Sequence, residues 1–386
     1  MVELAKIKDC VGCTACMNIC PKDCIEMKKN EDGFVYPELV RFSECINCGS
    51  CMKVCPVLEI DSNKRGLPEA YAVISNNEMI RMESSSGGVF SEIATRFLGE
   101  NGIVYGAAYD ENFRVKHICV DSEDDLWKLR GAKYAESNLG ECYRNILKDI
   151  KIGKKILFSG TPCQVAGLKK YIKKDYDNLF CIDFICHGIP SPMVWKEYIK
   201  YISKKDKSGE LPIRINLRSK LTGWTKYQYS HLFEYENGNM NIIANSKSLF
   251  MKLFIGDYIS RLCCENCKFK GYSRVSDITL GDFWGIWDIQ PDMDDNKGTS
   301  VVLIQTPKGQ SIFDEINTNV RFEKMSPEQV SQYNPSILKS SISHPKRNKV
   351  LKIIREGNID RCEKMFEQSS ILTKLKKIVN SRLHCI

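Results

Sequence analysis

The chemistry of this chain is concentrated in its cysteines, 19 of 386 residues against only five histidines. The run Cys10-x-x-Cys13-x-x-Cys16-x-x-x-Cys20-Pro21 recurs 35 residues later as Cys45-x-x-Cys48-x-x-Cys51-x-x-x-Cys55-Pro56. Three thiolates at intervals of three wrap one cubane, and the fourth, ahead of a proline, ligates the other cluster of a pair. The repeat predicts two 4Fe–4S clusters, one on Cys10, Cys13, Cys16 and Cys55, the other on Cys45, Cys48, Cys51 and Cys20. Zinc is the rival ligand, but its knuckles are separated C-x-x-C pairs and have no use for this progression. Cys24, just beyond the first motif, is not required.

A third set is spread along the chain. Cys163 and Cys186 each follow an apolar run, Ile156-Leu157-Phe158 and Leu179 to Ile185, and Cys263-Cys264-x-x-Cys267 supplies a close pair. Ligands gather at the carboxyl edge of parallel strands, so Cys163 and Cys186 converge if these strands are neighbours. A third 4Fe–4S cluster on Cys163, Cys186, Cys264 and Cys267 is the expectation, with zinc on the same four residues as the alternative. Cys163 falls in the first turn of a helix, where the dipole is expected to favour its thiolate. Cys181 reads as packed core, and Cys119, Cys142, Cys362 and Cys385 fit no ligand pattern.

The elements that must position these residues read as follows. Asn30-Glu31-Asp32-Gly33 predicts the turn of a short hairpin over the clusters. Tyr71 to Ile74 reads as a strand, Ser84-Ser85-Ser86-Gly87-Gly88 as a loop feeding a helix from about Val89 to Leu98, and Ile103 to Ala108 as a strand. The loop offers free N–H groups to a phosphate, or simply caps the helix. Thr161-Pro162 and Ser191-Pro192 are cap-and-proline helix starts. Strand–helix–strand–helix from Ile156 to about Ser203 is a parallel crossover unit. The fold class is therefore mixed α/β, α+β overall, with a bacterial-type two-cluster ferredoxin module ahead of a larger body.

The expected organisation is a ferredoxin domain over 1–60, a polar linker over 61–70, a body in two parts over 71–150 and 151–340, and a basic helical tail over 341–386. The formal charge is +8, and the tail holds eleven Lys or Arg against four Asp or Glu, leaving the body near neutral. That argues against a nucleic-acid binder, which spreads a basic stripe over a folded face. The apolar spacing of Ile371, Leu372, Leu375, Ile378, Val379 and Leu383, with lysines between, allows membrane or partner docking, or packing on the protein itself. The apolar runs are too short to span a membrane and the start shows no signal-peptide core, so a cytoplasmic location is expected. No H-E-x-x-H, P-loop or G-x-S-x-G motif occurs.

Ser85-Ser86-Gly87-Gly88-Val89-Phe90-Ser91, Arg130-Gly131-Ala132-Lys133-Tyr134, Ser159-Gly160-Thr161-Pro162-Cys163-Gln164, Cys186-His187-Gly188 and the run from Ser276 to Gly285 together resemble the coenzyme F420 hydrogenase/dehydrogenase beta-subunit family. The resemblance runs from about Tyr71 to Tyr333 and implies a flavin-binding body with FAD, an iron–sulfur cluster and often coenzyme F420. By position it implies FAD contacts at Ser85, Ser86, Gly87, Gly88, Lys133, Tyr134, Gly160, Thr161, Pro162 and Gln164. It implies an oxidoreductase in which electrons pass between clusters and FAD, which exchanges hydride with F420 or a similar small-molecule acceptor, served by a redox partner protein or ferredoxin-like donor. The alternatives are an F420-independent reductase of another organic substrate and a non-catalytic electron-transfer subunit.

Overall fold

The computed structural model describes residues 2–59, 66–206 and 209–366. Its strands are β1 (Ile25–Lys29), β2 (Val35–Leu39), β3 (Glu69–Ser75), β4 (Ile103–Tyr109), β5 (Val115–Val120), β6 (Ile156–Ser159), β7 (Leu179–Phe184), β8 (Arg214–Ser219), β9 (Ser230–Glu234), β10 (Met240–Ala244), β11 (Ile278–Asp282), β12 (Ser300–Ile304) and β13 (Val320–Met325). Eight of them form the central sheet in the order β13-β3-β12-β11-β7-β6-β4-β5. Pairings β11–β7, β7–β6 and β6–β4 are parallel, and β12, β13 and β5 run against their neighbours. Strands β3, β4, β6, β7 and β11 thus end at one edge, where the loops carrying Ser85, Cys163 and Cys186 emerge. The mixed α/β class is as the sequence predicts.

The crossover unit follows its local signals. Thr161 caps the helix Pro162–Ile172 in a reciprocal capping box with Gln164, and Ser191 caps the helix Pro192–Lys205 by accepting from the Val194 N–H. Proline at the first helical turn costs no hydrogen bond there. Val165, Leu168 and Tyr171 bury one helix face with Phe158 and Leu179. Cys181 is fully buried in mid-strand, in keeping with a packing role. A second sheet, β10-β9-β8, packs Leu217 and Phe233 against Trp195 and Tyr198 of the helix after β7.

The amino-terminal module is not a bead on a linker. Cys13, Ala15 and Val54 share a core with Tyr143, Phe158 and Leu168 of the body. Arg144 donates to the carbonyls of Met17, Asn18 and Cys20, satisfying the end of the helix Ala15–Ile19, and pairs with Asp23 at 2.5 Å. At the other side Arg355, in the helix Arg347–Arg355, donates to Glu31 and, at 2.7 Å, to Asp32 in the turn of the predicted hairpin β1–β2. The first part of the basic tail is therefore committed to the molecule itself. The amphipathic run Ile371–Leu383 and the first half of the expected linker, 61–65, lie outside the described residues, and Glu69 and Ala70 at its end already belong to β3.

The seam is tightest at Gly167. A Cβ there would stand 2.9 Å from both Cβ and Sγ of Cys13, and 3.1 Å from the Tyr143 hydroxyl. Gly167→Ala should lower the unfolding free energy by ~1–3 kcal/mol, the cost of overpacking a close contact. Chemical denaturation of the holoprotein checks this, and an unchanged midpoint would show that the module does not seat on this helix.

Candidate functional site

The two cysteine motifs repeat in conformation as well as in sequence. Gly12 and Thr14 have φ of +68° and +61°, and their counterparts 35 positions on, Asn47 and Gly49, have +52° and +69°. Such alternation turns successive N–H groups toward one point, the concavity that receives a cluster's negative charge. Cys10, Cys13, Cys16 and Cys55 line one cavity, walled by Met27 and Pro37 of the hairpin and reached also by Cys51. Cys20, Cys45, Cys48 and Cys51 line another, with Cys24, Ile25 and Leu39 beside them. The first faces the body, whereas Cys48 of the second is exposed. Burial pushes the Cys13 thiol well above its ordinary value and that of Cys16 up to about 12, with neighbouring thiols adding to both. Cys48 goes the other way, lowered by the Ser50 hydroxyl and N–H.

Cys163, Cys186, Cys264 and Cys267 line a third cavity, of about 720 Å³, between the module and the carboxyl edge of the sheet. Cys263 lines it too. Lys270 donates to the carbonyls of Cys186 and, at 2.8 Å, Ser336, and the Ser340 hydroxyl accepts the Cys267 N–H at 3.1 Å. Among the described residues no three His, Cys, Asp or Glu side chains converge closely enough to hold one metal ion. The cysteines stand around cavities instead.

One expectation is corrected here. The helix start does not favour the Cys163 thiolate: burial raises this thiol well above its ordinary value, and Cys186 is pushed up to about 12. Desolvation of a full charge outweighs the partial charge of a helix terminus. The adjacent pair splits, Cys263 driven up and Cys264 held down by the bond between them. Thiols of this kind give up their protons when metal arrives.

Cys163 and Cys186 also line a fourth cavity, of about 760 Å³. Around it stand Ser85, Ser86, Gly88, Lys133, Tyr134, Gly160, Thr161 and Gln164, eight of the ten residues expected at FAD. The other two lie elsewhere. Gly87 is clamped between β3 and β12, its N–H on the Ser300 hydroxyl at 2.9 Å, and Pro162 faces the third cysteine cavity. Gly88 precedes the helix Val89–Gly99 at φ +94° without a side-chain cap, so the helix amino terminus opens toward the cavity loop. The Ser85 hydroxyl is buried and unpaired.

Several wall residues have no local sequence signature. Arg218 pairs with Asp282 at 2.6 Å, reaches the Tyr134 hydroxyl at 3.3 Å, and lies 4.1 Å over Tyr229 and 4.9 Å over Trp284, with its buried Nε unpaired. Asp282 thus belongs to the site. Asp277 instead accepts the Cys181 N–H and the Thr306 hydroxyl and is structural. His187, in the loop after β7, bonds Asp257 at 2.8 Å and lines both large cavities. His117 is held between Ser137 and the Ser159 carbonyl, and burial lowers it to about 4.

Family models match the chain along most of its length. The amino-terminal model of the coenzyme F420 hydrogenase/dehydrogenase beta subunit covers residues 70–142, its carboxyl-terminal model covers 153–330, and a 4Fe-4S dicluster domain covers 9–58. No curated protein matches. A chain in a structure of the F420-reducing NiFe hydrogenase complex from Methanosarcina barkeri is similar at 18% identity, over 80% of this chain and 95% of that one, with a TM-score of 0.47. Among the described residues no helix is long and apolar enough to cross a membrane. A 4Fe-4S dicluster domain joined to the two beta-subunit domains implies an iron–sulfur electron-transfer oxidoreductase. The chain belongs to the coenzyme F420 hydrogenase/dehydrogenase beta-subunit family.

Lys220, which bonds the backbone of the Ser86 loop, gives the fold a pH signature. It is buried, donates to the carbonyls of Arg81 and, at 2.5 Å, Ser86, and is lowered to about 7 by burial and by the nearby Arg81 and Arg218. Above that pH, and below the unfolded lysine value of ~10.4, the unfolded chain binds a proton that the folded chain has released. Lys220 therefore makes stability rise with pH through this window. The stability difference, wild type minus Lys220→Met, should increase from pH 7 to 9 in parallel denaturation series; a difference that stays flat would place the ammonium in water.

Proposed function

We propose that the protein is an iron–sulfur flavoprotein oxidoreductase that moves electrons among two ferredoxin-type clusters, a third cluster and FAD, with coenzyme F420 or a similar acceptor as the hydride partner. The observation that carries this reading is the shared wall: Cys163 and Cys186 line both the third cysteine cavity and the cavity of the expected FAD residues. FAD, when bound, exchanges electrons singly with clusters and in pairs with an organic substrate.

The chain's own residues fit these groups. Cys10, Cys13, Cys16 and Cys55 would hold the inner module cluster, Cys20, Cys45, Cys48 and Cys51 the outer one, and Cys163, Cys186, Cys264 and Cys267 the third. The unpaired Ser85 hydroxyl and the open end of the helix Val89–Gly99 are donors suited to a phosphate. Lys133, anchored on the carbonyls of Arg130 at 2.7 Å and Gly131 at 3.2 Å, adds a further N–H donor to the same cavity; burial lowers it to about 7, and a bound anion would favour its charged form. Trp284, Tyr227 and Tyr229 form an aromatic wall, and Arg218 lies against Trp284 and Tyr229 with a free Nε for an acceptor atom. The exposed Cys48 marks the side from which a redox partner protein would exchange electrons.

Anaerobically purified protein should contain about twelve irons and one FAD, and should reduce F420 or oxidise its reduced form with a viologen dye. Cys264→Ser should remove about a third of the iron and spare the ferredoxin-type spectra. A preparation with about eight irons and no flavin would leave only the amino-terminal module standing.

A further inference from the structure

A buried cation sits where the module, the third cysteine loop and the FAD-type cavity meet. Arg261 is 0% exposed and lies two residues before the pair Cys263–Cys264. Its Nε donates to the Cys10 carbonyl at 2.8 Å, and its Nη2 donates to the Val35 carbonyl at 2.8 Å and reaches Cys10 Sγ at 3.7 Å. The guanidinium lies 4.1 Å from the Tyr36 ring and 5.5 Å from that of Phe34. Its Nη1 donates to Glu136, which is also buried, accepts the Val35 N–H at 3.1 Å and lines the fourth cavity.

The two charges act on Cys10 unequally. The cation touches the sulfur, whereas the carboxylate stands behind it and partly neutralises it. Reduction of a cluster adds negative charge, which a donor aimed at a ligand sulfur and a nearby buried cation both stabilise. Low local dielectric enlarges that effect at the inner motif, while Cys48 of the outer motif is open to water.

We propose that Arg261 is a positioning residue that raises the reduction potential of the cluster held by Cys10, and that Glu136 limits the rise, so that the inner cluster draws electrons from the outer one toward the body. This rests on the cluster assignment proposed above. The opposite signs of the two partners are what a purely structural salt bridge would not produce.

The test is an anaerobic, EPR-monitored redox titration of the full protein, with the inner-cluster signal identified as the one altered by Cys10→Ser. Arg261→Gln should make the inner cluster at least tenfold harder to reduce, ~59 mV for one electron. Glu136→Gln should make it easier to reduce, and Arg261→Lys should fall between Arg261→Gln and wild type. The outer-cluster midpoint should not move. Absence of two ferredoxin-type signals in wild type would defeat the cluster assignment itself. With both signals present, an inner midpoint unmoved in Arg261→Gln and Glu136→Gln, or moved in the same direction by both, overturns the proposal. Should Arg261→Gln fail to fold, Glu136→Gln and Arg261→Lys decide by the sign and order of their shifts.

Discussion

The missing side chain at Gly167 is the constraint on which the arrangement turns. The helix Pro162–Ile172 carries Cys163 in its first turn and lays Gly167 on Cys13. One rigid element thereby fixes a cysteine of the inner motif relative to a cysteine of the body. Tyr143, whose hydroxyl bonds the Gln164 carbonyl at 2.7 Å, fills the remaining space beside this contact. Because helix interiors and packed cores deform little, this helix sets the separation of the two cysteines.

Around this seam, arginines bridge the module and the body, at the surface and in the interior. Arg144 spans the end of the module's first helix, Arg355 and Arg347 meet Asp32 at the hairpin turn, and Arg261 pairs with Glu136 in the interior. The exposed pairs contribute little energy, and the buried Arg261–Glu136 pair loses in desolvation much of what it gains in attraction, so their value lies in fixing position. Arginine suits that task because its planar fork meets carbonyls and carboxylates at once. The thiols show the complementary effect. At Cys163, Cys186, Cys13 and Cys16 desolvation dominates, and such residues take up charge only with a metal.

Much of this was legible in the chain because the signals are local. The cysteine progression and its copy need only a loop of fixed spacing, and the members of each expected set line a common cavity, with Cys51 lining both module cavities. The crossover unit was readable because Thr161-Pro162 and Ser191-Pro192 announce helix starts beside apolar runs. Cys163 and Cys186 were readable as companions through strand order, and Cys264–Cys267 as the close pair that completes their set. What escaped notice is long-range. Glu136 and Arg261 meet across 125 residues, Arg218 and Asp282 across 64, and no local pattern marks such a pairing. Arginine inside the apolar, cysteine-bearing stretch Tyr258 to Cys264 was the one available hint. The helix-dipole argument at Cys163 failed because sequence gives the dipole but not the depth of burial.

The central claim is that electrons reach the flavin of the fourth cavity through the cysteine-held clusters, the third among them. Anaerobic stopped-flow mixing with a reduced one-electron donor tests it most directly, following cluster and flavin absorbance together in wild type and in flavin-replete Cys264→Ser. The account predicts that cluster bleaching precedes flavin bleaching in wild type, and that the variant keeps the first phase while the second slows by at least tenfold. Flavin reduced equally fast in both proteins would contradict the claim and leave the shared wall at Cys163 and Cys186 a matter of packing alone.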